Sequence, residues 1–128
     1  MAEKHFYLKD LHFDLNVWRN ELNFCEDELK IFNHYLEDLV NRYTDQEMLA
    51  QLEHFQNQFI RQREVLDEIK HAIKAKDHYF AKYAESHPIA VDHVYFKDHT
   101  DLRENMDQFT KIYSEMKMEF RRFLAKYM

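Results

Sequence analysis

Glycine is missing from all 128 residues, where an average chain of this length carries about nine. Whole classes of function go with it. Phosphate-cradling loops and dinucleotide fingerprints need a residue without a side chain, so that backbone can approach the phosphate or take up positive φ. Asn-Gly and Asp-Gly hairpin turns are excluded as well. β-branched residues are few, with three Thr, five Val and six Ile, so strands are not expected. Pro88 is the one proline, and Ser86 and Ser114 are the only serines. Little material remains for loops, and almost none for a serine hydrolase. Cys25 stands alone, which removes an intramolecular disulfide and any multi-cysteine metal knuckle, and suits a reducing compartment. No apolar run exceeds three residues, and Met1 to His5 lack the apolar stretch of a signal peptide. A cytoplasmic location is expected.

A basic excess is lacking too. The formal charge is -6 with both signs interspersed, so nucleic acid is not an expected partner. Lys111, Lys117, Arg121, Arg122 and Lys126 make the last stretch locally basic, but cations at a helix C-terminus complement its dipole without any lipid or polyanion. No membrane partner is expected.

What the chain does have is helical periodicity. Steps of three and four residues, the spacing that keeps one helix face toward a partner, pick out three apolar seams. The first runs Leu8, Leu11, Leu15, Trp18, Leu22, Cys25, Leu29, Phe32, Leu36, Leu39, Tyr43, without a charge in it. The second runs from Met48 through Leu52, Phe55, Phe59, Gln62, Leu66, Ile69, Ile73, Lys76 and Phe80 to Tyr83, and the third from Leu102 through Met106, Phe109, Tyr113, Met116, Phe120 and Phe123 to Tyr127. Gln62 and Lys76 are the only polar members among thirty positions of a chain that is 45% apolar. A single all-α domain over residues 1–128 is predicted, built of three long antiparallel helices at about 7–43, 46–84 and 99–127 in a coiled-coil-like bundle.

Phase breaks set those limits. Extending the first seam past Tyr43 would bury Gln46 and Glu53, whereas restarting at Met48 restores an apolar face. Thr44 with Glu47 three residues on has the form of a capping box. Glu85, Ser86, His87, Pro88 end the second helix, since the residue before proline avoids helical geometry. Residues 86–98 are expected to be either an ordered loop or an early start of the third helix with Pro88 in its first turn.

Nine histidines and twenty-four carboxylates raise the question of a metal. Glu68 and His71 match the Glu-x-x-His of ferritin-like sites, but Ile69 belongs to the seam, so His71 falls on the outer face. No seam position carries Asp, Glu or His unless the third helix starts early and brings His99 in. Antiparallel folding would gather His5, His12, His78, His87, His93 and His99 at one pole. His78, His87, His93, His99 and Asp98 are the candidate metal ligands there, imidazole and carboxylate being the usual donors for zinc and related ions. Cys25 between Leu22 and Leu29 is expected to be a small hydrophobe with little thiolate character.

These observations favour a non-enzymatic bundle without a cofactor that binds another protein chain or itself as a homo-oligomer; a metal-binding protein or metal-dependent enzyme using the histidine pole is the alternative. The interface is expected at the tip of the first hairpin. A third helix starting near Thr100 is about ten residues shorter than the second and leaves roughly 15 Å uncovered. Phe32, Leu36, Leu39, Val40, Met48, Leu49, Leu52 and Phe55 would then be exposed, and an apolar patch of that kind marks an interaction site.

Overall fold

A computed structural model describes the backbone of residues 2–42, 44–86 and 91–128, and the side chains of 11–42, 44–82, 85 and 99–128. Three helices pack against one another: α1 (Ala2–Arg42), α2 (Gln46–Ser86) and α3 (Val91–Tyr127). No strand occurs among the described residues. At 1.5 Å per residue each helix is about 55–60 Å long.

Cross-helix contacts give the running directions. Between α1 and α2, Arg19 meets Asp77, Glu26 meets Lys70 and Arg63, and Phe32 meets Phe59. Numbers rise on one helix as they fall on the other, so the two pass in opposite directions. Between α1 and α3, Asp14 meets His99, Glu28 meets Lys117, and Phe32 meets Phe120. There the numbers rise together.

The seams become the core. Leu11, Leu15, Trp18, Leu22, Leu29, Phe32, Leu36 and Leu39 of α1 are buried, together with the described apolar seam members of α2 and those of α3 as far as Phe123. Tyr127 is partly buried against them. Toward the hairpin tip the core turns aromatic. Phe120 is fully enclosed, with its ring centroid 4.9 Å from those of Phe32 and Phe59 and 5.3 Å from that of Phe55. Aromatic rings favour the edge-on geometry found for Phe59 against Phe120, which adds to the area they remove from water.

Some boundaries and one cap differ from those predicted: α1 begins at Ala2 rather than at about 7, and α2 ends at Ser86 rather than at about 84. The residue that caps α2 is Asp45, not Thr44: Asp45 Oδ1 accepts from the Glu47 N–H at 3.2 Å, and its carbonyl accepts from the Leu49 N–H. A carboxylate there also meets the positive end of the helix dipole. The third helix begins at Val91, eight residues before 99, which is the early start expected as one of the two alternatives for residues 86–98. Stepping the third seam backward by threes and fours from Leu102 reaches His99, Tyr95 and Val91, so the phase continues through a single histidine. Pro88 lies outside the described residues.

Candidate functional site

The expected uncovered tip is largely enclosed. Phe32, Leu36, Leu39, Met48, Leu52 and Phe55 are buried, Leu49 is half-buried, and only Val40 is well exposed, at 48%. Two features account for this. A short connection ends at Asp45 and lets α1 and α2 close on each other, and Phe120 and Phe123 of α3 reach across to Phe55. A shallow groove remains there, with Leu36, Val40 and Leu52 on its walls.

The candidate metal ligands divide. His78 is exposed on α2, and His99 is buried on α3. His87 and the side chains of His93 and Asp98 lie outside the described residues. Among the described residues no group of three or more His, Cys, Asp or Glu side chains is placed to hold a metal ion. His12, also assigned to that pole, pairs instead with Asp77 at 3.4 Å.

His99 is 2% exposed, and α1 supplies its ring and carboxylate neighbours. Its ring stacks on Trp18 with centroids 5.0 Å apart, and Nε2 lies 3.0 Å from Asp14 Oδ2, which also accepts from Arg103. A neutral ring donating from Nε2 to the carboxylate leaves a bare lone pair at Nδ1. That atom is buried without a hydrogen-bond partner among the described residues. Burial pushes the His99 pKa below its ordinary value against the pull of Asp14; Arg103 and Lys76 push the same way as burial. His99 is therefore a neutral core histidine anchored by one carboxylate.

The other displaced groups serve packing as well. Glu26 is held below the usual carboxylate range by Lys70, whose ammonium donates at 2.8 Å, with Arg63 adding to it. Burial lifts the Cys25 thiol to about 11, and the Glu28 carboxylate beside it adds to the rise. Tyr113 donates to Glu28 at 2.7 Å and is itself raised by burial. Gln62, polar in an apolar seam, is buried, and the nearby Gln58 Oε1 has no partner among the described residues.

The pattern missed in the sequence lies on the outside of α1. Phe13, Phe24, Ile31 and Tyr35 are 62%, 61%, 50% and 37% exposed. With 100° between successive residues, all four and the half-buried Val17 fall within about 40° of one another. They form a second apolar stripe, well away from the core seam and toward the flank shared with α3. Lys117 of α3 places its ammonium 5.9 Å from the centre of the Phe24 ring. Beside Phe24, between α1 and α3, runs a groove of about 370 Å³ lined by Cys25, Met106, Phe109, Tyr113 and Ser114. A wheel drawn for α1 alone finds the stripe, whereas one apolar seam per helix does not include it.

No protein-family model, curated protein or solved structure matches the chain. No helix among the described residues is long and apolar enough to cross a membrane.

Proposed function

We propose that this chain is a non-enzymatic helical-bundle protein that works by binding another protein chain, a copy of itself included. The supporting observation is the stripe of Phe13, Phe24, Ile31 and Tyr35. Aromatic and aliphatic side chains scattered singly over a surface need no explanation, but a row of them on one helix flank is a surface waiting to be covered. The chemistry of the displaced groups agrees. Cys25 and Tyr113 are pushed toward their protonated forms, and His99 toward its neutral one with its reachable nitrogen already on Asp14. A nucleophilic thiol needs the opposite tuning, and His99, though in the form a general base takes, has its free nitrogen buried in the core.

The test is a photo-crosslinking amino acid placed at Phe24, with the exposed Ile60 of α2 as control, in cells that make the protein. Discrete protein adducts from position 24 and none from position 60 are expected. Equal yields from both, or none from either, would remove the interaction role.

A further inference from the structure

Resting on that interaction role, we infer that the partner on the α1 stripe is a second copy of this chain, docked antiparallel about a two-fold axis at Phe24. Spacing identifies the occupant. Counting from Phe24, the described apolar positions fall eleven and seven residues before it, at Phe13 and at Val17, which is half-buried against the core, and seven and eleven after it, at Ile31 and Tyr35. The row is a palindrome. A two-fold interface is self-complementary, so that if one residue meets a second across it, the second also meets the first. Turning α1 end over end about Phe24 places Phe13 against Tyr35, Val17 against Ile31, and Phe24 against its own copy. Among the described side chains no apolar member of the row is left over.

The groove beside Phe24 adds a receptacle to the knob. Cys25, Met106, Phe109 and Tyr113 form its apolar part and Asn20, Glu21, Thr110 and Ser114 its polar edges, and at about 370 Å³ it has room for an aromatic ring from the other copy. Symmetry fills both grooves at once. The area is sufficient for a reversible dimer. From Phe13 to Tyr35 the row is about 33 Å long, and α1 with the adjoining flank of α3 is about 20 Å wide, which gives roughly 660 Å² per copy. That is a little below the ~800 Å² per partner of a standard stable interface, so an affinity on the order of micromolar is expected.

Charge leaves a signature. Glu21 and Asp27 lie three residues either side of Phe24, so Glu21 of one copy approaches Asp27 of the other. Glu28 already has Lys117 as counter-ion. The axis is thus ringed by like charge, and added salt should tighten the pair by screening it.

Sedimentation equilibrium of the full chain, from low micromolar to near-millimolar concentration, tests the pairing. A monomer–dimer equilibrium that tightens with salt is expected. Phe24→Glu should weaken it by about 30-fold or more, as at the centre of an interface. Ile60→Glu should leave it unchanged, and circular dichroism should find all three proteins equally helical. A photo-crosslinker at Ile31, in a mixture of isotope-labelled and unlabelled chains, should attach near Val17 of the other copy. A wild-type monomer throughout, a dimer indifferent to Phe24→Glu, or attachment near Ile31 itself would overturn the inference. A monomer whose position 24 still captures a different protein in cells ends the self-pairing and leaves the interaction role standing. A monomer with no adduct ends both.

Discussion

Phe120→Ala should be among the most damaging single changes in this protein. The side chain is fully enclosed, and its ring meets Phe32, Phe55, Phe59 and Phe123, one or more from each helix. Truncating a buried phenylalanine costs about 3–5 kcal/mol, the loss from water transfer being joined by the cavity left behind. Ring–ring contacts worth roughly 0.5–1.5 kcal/mol each place this site in the upper half of that range. A chain of this length unfolds with an entropy of about 0.27 kcal/mol/K, so ~4 kcal/mol corresponds to a fall in Tm of about 15 °C. Thermal unfolding followed by circular dichroism measures it, with the exposed Met118→Ala as the control that should stay within about 0.5 kcal/mol of wild type. A fall of less than about 4 °C for Phe120→Ala would mean that the aromatic cluster does not join the three helices as described.

Leu36→Glu should unfold the hairpin tip rather than disperse an assembly, because Leu36 is buried; a variant with wild-type Tm would refute that placement. For His99 the sign follows from its lowered folded-state pKa: the unfolded chain takes up the proton first. The histidine's contribution is whole above about pH 6.5 and is lost as pH falls from there through the folded value. His99→Gln should therefore flatten the change in Tm between pH 7.5 and 5.5, and an unchanged slope would assign the acid sensitivity elsewhere. Glu26→Gln should cost about 1–2 kcal/mol by denaturant titration, since it weakens a carboxylate that serves both Lys70 and Arg63. With its thiol raised to about 11, Cys25 should react with thiol reagents at neutral pH far more slowly than the same residue in the unfolded chain.

The core was legible because burial depends on spacing, and spacing is written in the sequence: the first seam from Leu11 to Leu39 is buried at every position but Cys25, which is half-buried. What was not legible depends on partners from other helices. His99 ended the third seam on paper because a histidine is polar; in the folded chain Asp14 and Trp18, some eighty residues away, make it a core residue. Asp45 rather than Thr44 caps α2, which residue type does not decide, since both can cap. Helix lengths alone leave the tip open, and it is the register, set by the rings of Phe120 and Phe123 on Phe55, that closes it. The outer stripe was present in the letters all along. Its members sit eleven, seven and four residues apart, a pattern that a search for one seam per helix passes over.

The self-pairing of α1 is tested most directly by a single interspin distance. In a Cys25→Ala background that sedimentation equilibrium finds to pair as the wild type does, a nitroxide carried by Asp38→Cys lies fourteen residues beyond Phe24 on an exposed position. Antiparallel pairing about Phe24 puts the two labels about 42 Å apart along the helix axes. Electron–electron double resonance on a sample concentrated above the dimer midpoint should give one narrow distribution near that value. No dipolar coupling between chains, or a distance below about 20 Å as parallel helices would give, contradicts it.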